Sequence, residues 1–194
     1  MHGDPPPGGA VEHSTEPREE VLGSRRGFDG KRVRVRVDQV RLPSGRESVR
    51  EVVEHPGAVA IVPLTPDRQV LLVRQHHHSI GRRLLGLPAG TFEPGEPPIE
   101  TARRELIEET GHEPERLTEL VTLYTSPGYT AERLVLFRAD GCRPTGGGPD
   151  PDELIRVVPT PLAALPGLLE PGPDQIQDAK TLVGLLWILR DIGS

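Results

Sequence analysis

The sequence predicts an α/β protein: an α/β/α sandwich with a mixed β-sheet, preceded by an N-terminal β-hairpin. Three observations carry that expectation. Short apolar or alternating runs of strand length recur at residues 31–38, 49–54, 57–64, 69–75, 117–124, 133–139 and 153–158. Two further stretches, residues 99–106 and 176–189, place apolar residues at helical spacing. The helical stretches interleave with the strands, so helices are expected on both faces of one sheet. At 194 residues the chain suits one main domain with a sizeable core.

Taken in order, residues 1–27 are rich in Pro, Gly, Glu and Arg with little to bury, and are expected to be a disordered tail. Residues 28–56 form the expected hairpin. Val33, Val35 and Val37 share one face while Arg32, Arg34, Arg36 and Asp38 share the other, LPSGRE supplies a turn, and residues 49–54 return. The basic face reads either as a nucleic-acid stripe or as a solvated outer face, and the acidic net charge favours the latter. Two strands with an apolar face are marginal alone, so this hairpin is an expected dimerisation element. Residues 57–194 form the expected main domain. Its first strand, GAVAIVPL, is continuously apolar, as a buried central strand would be. After the next strand His76, His77 and His78 are adjacent; neighbours on a strand point to opposite faces, so a polar rim beside the pocket fits better than a shared metal. The glycine- and proline-rich stretch 140–150 is expected to be a mobile loop. Thr160-Pro161 reads as an N-cap and first turn of a short helix to about Leu169, and residues 176–189 as an amphipathic closing helix carrying Ala179, Leu182, Val183, Leu186 and Trp187.

The formal net charge of −6 argues against nucleic acid as a partner, which requires a basic footprint. A phosphorylated small molecule stays open, because a metal can supply positive charge. Cys142 is the single cysteine, which excludes an intramolecular disulfide and a cysteine-based zinc site and fits a reduced, cytoplasmic setting. No apolar run reaches the roughly 18–20 residues needed to cross a bilayer, and the first ten residues lack the basic-then-apolar order of a signal peptide.

Chemistry concentrates in residues 90–112, GTFEPGEPPIETARRELIEETGH. Glu96-Pro97-Pro98 marks a helix start and Gly111 its end. Between them Ile99, Ala102 and Leu106 fall on one face, and Glu105, Glu108 and Glu109 at i, i+3 and i+4 on a neighbouring one. Like charges so spaced cost a helix about 0.2–0.5 kcal/mol per pair, and these also lie near the negative end of the helix dipole. A solvated acidic face is the ordinary reading; a bound divalent cation removes both objections, and all-oxygen ligands point to Mg²⁺ or Mn²⁺. The spacing of Gly90, Glu96, Arg104-Glu105-Leu106, Glu108-Glu109 and Gly111 resembles the Nudix box of the Nudix hydrolases, departing only at His112, where an aliphatic residue is usual.

Further stretches resemble the ADP-ribose pyrophosphatase branch of that family: residues 50–59, Leu87-Pro88-Ala89-Gly90, Ser126-Pro127-Gly128 and Asp178-Ala179-Lys180-Thr181. SPG by itself is a good turn. The resemblance spans about residues 28–191 and implies metal-assisted hydrolysis of ADP-ribose or a related ADP-sugar to AMP and ribose 5-phosphate. It implies metal ligation by Glu105, Glu108, Glu109 and the Ala89 carbonyl, with Arg104 orienting the cluster. Arg50, Glu51, Pro127 and Glu132 are implied substrate contacts, Arg50 and Glu51 across a homodimer interface in some members. Glu153 lies where the branch tends to place a water-activating carboxylate, and reads equally as part of an exposed acidic turn. Departures occur at His76, His77 and Gly86, where the branch has an aromatic residue, an arginine and a glutamate. Two other functions stay open: hydrolysis of another nucleoside diphosphate derivative (a nucleotide sugar or dinucleoside polyphosphate), or a non-catalytic nucleotide-binding module.

Overall fold

The computed structural model describes residues 17–149, 154–172 and 175–192. The chain divides into two compact units, the first ending at Val52 and the second beginning at Val53.

In the first unit β1 (Glu20–Asp29), β2 (Arg34–Arg41) and β3 (Glu47–Glu54, whose last two residues belong to the second unit) form a three-stranded sheet in the order β1-β2-β3. The sequence predicts a two-stranded hairpin, so β1 corrects both that reading and the upper limit of the disordered tail; the described residues begin only at Pro17, and the rest of the expected tail lies outside them. β1 escapes a hydrophobic-pattern reading because every one of its residues is exposed. It is held by its antiparallel ladder to β2 and by polar side chains rather than by core burial. Arg41 donates to Glu20 at 2.8 Å, Arg34 lies 3.2 Å from Asp29, and Ser24 stands opposite Asp38. Asp38 is buried, and hydrogen bonds from Ser24 and from Arg36 hold its carboxyl below the usual carboxylate range despite the burial. The apolar side chains Val21, Phe28 and Val49 are exposed on this sheet, and Val33 is exposed just ahead of β2.

The second unit is built on a mixed sheet. β4 (Ala58–Leu64) pairs parallel with β10 (Arg133–Asp140), which pairs antiparallel with β9 (Arg116–Tyr124); on the other side β5 (Gln69–His77) pairs antiparallel with β12 (Arg156–Pro161), giving the order β12-β5-β4-β10-β9. As the apolar run predicts, every residue of β4 is buried. β4 and β5 meet at Leu64 and Val70, then diverge. The gap is filled by a returning segment, β6 (Arg82–Gly86) along the end of β5 and β7 (Ala89–Thr91) along the start of β4. That splayed seam, which sequence patterning leaves unassigned, positions the site.

α1 (Pro98–Thr110) covers one face, packing Ala102 and Leu106 against Val59, Ile61, Leu71 and Phe137. Ile99, expected on that buried face, is instead exposed, because it lies in the first turn. Pro97 is the N-cap, and Gly111 closes the helix at φ 67°, its N–H donating to the Ile107 carbonyl, a left-handed position suited to glycine. α2 (Leu165–Leu168) and α3 (Ala179–Ile192) cover the opposite face, with Leu165, Leu185 and Ile188 against Val62, Leu72, Leu85 and Leu87. The two-sided arrangement gives the expected α/β/α layering. Thr160-Pro161 does not cap a helix: Thr160 pairs with Val70 as the end of β12, and a short 3-10 turn at Leu162–Ala164 precedes α2. The stretch expected to be a mobile loop contains a short strand, β11 (Arg143–Pro144), paired with β8 (His112–Glu113). Cys142 is buried, and burial pushes its thiol up to about 12. Among the described residues no helix is long and apolar enough to cross a membrane.

Candidate functional site

The carboxylates of α1 are held by two kinds of protein group. Arg104 gathers two of them together with Glu96, which precedes the helix: its Nε donates to Glu96 Oε1 at 3.1 Å and its Nη2 to Glu96 Oε2 at 3.0 Å, while Nη1 donates to Glu105 at 2.7 Å and to Glu108 at 3.0 Å. The backbone of β7 also approaches them. Ala89 N–H donates to Glu109 Oε2 at 3.0 Å. Gly90 lies so close to Glu105 that a Cβ there would meet the carboxylate at 1.8–2.3 Å, so no side chain fits. Glu109 is 7% exposed, and the Glu105 side chain 14%. Glu108 is 55% exposed and tied to Arg104 only as an i,i+4 pair, a link worth a few tenths of a kcal/mol and readily exchanged.

Arg104 forms a fork–fork pair with Glu96, which also accepts from Thr101 Oγ1 at 2.8 Å. The guanidinium first, and then the Thr101 hydroxyl, bring the Glu96 carboxyl down to about 2, from an ordinary 4.5. Glu96 in turn raises Arg104. Because the folded-state value is depressed, the pairing stabilises the fold in full above about pH 4.5 and is lost as the pH falls toward 2. The melting temperature of Glu96→Gln is therefore expected to lie below wild type by a steady gap from pH 7 to pH 5. That gap is expected to close between about pH 4.5 and 2; one that persisted unchanged to pH 2 would show that Glu96 is not the group responsible.

Whether these residues suit a divalent cation is answered by their donor set. Glu105, Glu108, Glu109 and the Ala89 carbonyl offer only hard oxygens, and the bare Gly90 backbone allows the loop to close on the helix. Among the described residues no three His, Cys, Asp or Glu side chains are drawn together tightly enough to form a ready-made metal cluster. Arg104 supplies the compensating charge for Glu105 and Glu108. The residues fit such an ion in chemistry, and Glu105 and Glu108 would each exchange a contact with Arg104 for it.

Ala89, Gly90 and Thr91 also line a cleft of about 540 Å³ at the β4–β5 splay. Its other walls include Gln75, His77, Gly86, Thr125, Glu132, Asp178 and Lys180. Glu132 is therefore on the cleft wall. Its Oε2 accepts from Thr125 Oγ1 at 2.6 Å, and its Oε1 lies 3.8 Å from His55 Nε2. His55 Nδ1 accepts the Gly57 N–H at 3.1 Å, which fixes the ring and leaves Nε2 facing Glu132. Pro127 is not among the lining residues; it lies in the turn where Tyr129 and Thr130 N–H groups donate to Ser126 O at 3.2 and 3.1 Å. That turn is pinned by Val53 N–H to Tyr129 O at 2.8 Å. His77 lines the cleft while His76 does not, as alternation along β5 dictates.

Arg50 and Glu51 belong to the first unit, where Arg50 Nε donates to Glu19 Oε2 at 3.0 Å. Glu153 lies outside the described residues. The sequence reading assigned no role to Asp178 or Lys180. Asp178 accepts the Thr181 N–H at 3.2 Å and so caps α3, and Lys180 Nζ lies 2.9 Å from Asp178 Oδ1. An aspartate just ahead of an apolar helical run is a start signal; placing the helix start at residue 176 hid it.

A NUDIX domain model matches residues 54–181. The chain is 36% identical over 173 residues to a methanol dehydrogenase activator of Bacillus methanolicus, covering 88% of this chain and 92% of that one. It is 35% identical over 172 residues to an ADP-ribose pyrophosphatase of Bacillus subtilis (strain 168), again covering 88% and 92%. A crystal structure of an ADP compounds hydrolase matches at a TM-score of 0.80 and 27% identity, over 91% of this chain and 95% of that one. With the carboxylate helix, its arginine and the closely apposed glycine all inside the matched segment, the chain belongs to the Nudix hydrolase family.

Proposed function

We propose that the protein is a pyrophosphohydrolase that splits the diphosphate of ADP-ribose, or a related ADP-sugar, into AMP and ribose 5-phosphate. The observation that supports this most is the double duty of Ala89 and Gly90, which hold the buried carboxylates of α1 and also line the cleft. The similarity to an ADP-ribose pyrophosphatase and to an ADP compounds hydrolase supports the same substrate. Nudix hydrolases generally use divalent metals, and we assign Mg²⁺, with Mn²⁺ able to replace it, to Glu105, Glu108, Glu109 and the Ala89 carbonyl. Such an ion supplies charge neutralisation at phosphorus and a water of lowered pKa. Arg104 orients Glu105 and Glu108 through its two short contacts. Glu132, fixed by Thr125 and facing His55, presents a carboxylate to the substrate in the cleft. Arg50 offers a fork of donors to phosphate or ribose oxygens, and Glu51 an acceptor for ribose hydroxyls.

Steady-state kinetics with Mg²⁺ test the assignment. ADP-ribose is expected to show a higher kcat/KM than GDP-mannose, diadenosine polyphosphates or nucleoside triphosphates, since discrimination is a difference in transition-state binding outside the metal site. A higher value for another of these would replace the substrate and leave the hydrolase standing. The reading that it acts on another nucleoside diphosphate derivative draws on His77 and Gly86 in the cleft wall.

We also propose a cytoplasmic homodimer with the first unit at its interface. Val21, Phe28 and Val49 on the sheet and Val33 just ahead of β2 leave a set of large apolar side chains exposed on this unit, which a second copy would cover. Sedimentation is expected to give a dimer at micromolar concentration; a monomer would remove the proposal.

A further inference from the structure

The cleft walls carry an excess of acid: Glu132 and Asp178 face into it, and Glu105 and Glu109 sit directly behind Gly90 and Ala89. An anionic diphosphate entering such a space meets repulsion unless cations are supplied. Among the described lining residues Lys180 is the one lysine or arginine. It stands on the first turn of α3, with its Nζ 2.9 Å from Asp178 Oδ1. Asp178 is itself fixed, its Oδ2 accepting both the N–H and the hydroxyl of Thr181, and Thr181 Oγ1 accepts the Leu87 N–H at 2.9 Å. The ammonium is thereby anchored through α3 to the β6–β7 segment that carries Ala89 and Gly90. Of its three N–H donors, the contact to Asp178 uses one.

The β6 residue packed against this helix start is a glycine. Gly86 lines the cleft, and a Cβ there would come within 3.2 Å of Thr181 Oγ1 and 3.6 Å of Asp178 Oδ2. The glycine therefore backs closely onto the start of α3, against Thr181 and Asp178. Stability does not account for the ion pair: both partners are partly exposed, at 20% and 26%, and such pairs contribute little. An anchored ammonium with spare donors on the wall of the cleft is suited to a ligand oxygen.

We propose that Lys180 is a specificity-determining residue that contacts the substrate, donating to a nonbridging phosphoryl oxygen of a nucleoside diphosphate bound in the cleft. This rests on the hydrolase function proposed above. The pairing with Asp178 sets the position of the ammonium, and the ammonium favours a diphosphate over an uncharged nucleoside.

Equilibrium titration of the full chain in Mg²⁺ with α,β-methylene-ADP and, separately, with adenosine tests this without turnover. Lys180→Met is expected to weaken the diphosphate analogue by about 10- to 100-fold, the range for losing one charge-assisted hydrogen bond, and to leave adenosine unchanged. Lys180→Arg is expected to keep most of the affinity. With ADP-ribose as substrate, the same methionine variant raises KM far more than it lowers kcat. Unchanged analogue binding in Lys180→Met overturns the proposal. So does equal weakening of both probes, or a fall in melting temperature with affinity retained, since each would make Lys180 a structural partner of the helix cap. A wild type that binds the analogue and loses it with Lys180→Met, yet does not cleave ADP-ribose, would refute the substrate and leave the lysine contact intact. A wild type that bound neither probe would overturn both.

Discussion

Gly90→Ala is expected to lower kcat by on the order of 10²-fold or more, although it adds a single methyl group. The new Cβ would lie 1.8 Å from the Glu105 carboxyl carbon and 2.0 and 2.3 Å from its oxygens, distances that no packing tolerates. Either the Ala89–Gly90 segment or the carboxylate must move. Moving the segment breaks the β7 pairing of Gly90 with Val59 and the Ala89 N–H bond to Glu109; moving Glu105 removes its 2.7 Å bond from Arg104 and one oxygen from the ligand set proposed above. Overpacking of this kind costs about 1–3 kcal/mol, so the melting temperature is expected to fall by several degrees while the fold survives. Gly90 has no left-handed backbone angle, so its requirement is for space alone. Turnover of ADP-ribose and a thermal melt read the two effects separately, and near-normal kcat in Gly90→Ala would mean that Glu105 has no part in the chemistry.

Glu108→Gln and Glu109→Gln are expected to lose most turnover, again on the order of 10²-fold, with little change in stability. A metal site supplies several kcal/mol of transition-state stabilisation, and each tenfold in rate corresponds to about 1.4 kcal/mol, so losing one anionic ligand carries an effect of this size. The folding side nearly cancels. Glutamine at 109 can still accept the Ala89 N–H, and glutamine at 108 gives up an exposed i,i+4 pair while relieving like-charge repulsion along α1. Rates close to wild type in both variants would sink the metal assignment.

Much of the second unit was legible because its signals are local. The unbroken apolar run of β4, the helical spacing of Ala102 and Leu106 and the Gly111 terminator each act over a few residues, and all three stand in the structure. The acidic face of α1 was legible for the same reason. What stayed hidden depends on partners distant in sequence. β1 carries no buried side chain, so hydrophobic periodicity has nothing to report; its existence depends on the ladder to β2 and on the Ser24–Asp38 and Glu20–Arg41 contacts. The β6–β7 seam was invisible because short strands filling a splay need no pattern of their own. Thr160-Pro161 misled because a good cap sequence also suits a strand end, where proline at 161 closes the ladder to Gln69. The placement of Asp178 and Lys180 on the cleft wall depends on α3 beginning at Ala179 with its first turn packed on Gly86, a contact between segments far apart in sequence.

The surroundings of Cys142 have a practical consequence for labelling. It is the only cysteine in 194 residues, it is 1% exposed, and its Sγ points to the Ala139 carbonyl. With its thiol held up at about 12, roughly one molecule in 10⁵ carries the reactive thiolate at pH 7, and that thiolate is shielded from reagents. The native chain is therefore silent toward maleimides. A cysteine introduced at an exposed position such as Val49, or at Lys180 on the rim of the cleft, becomes a unique attachment point for a fluorophore or spin label without removal of any native cysteine.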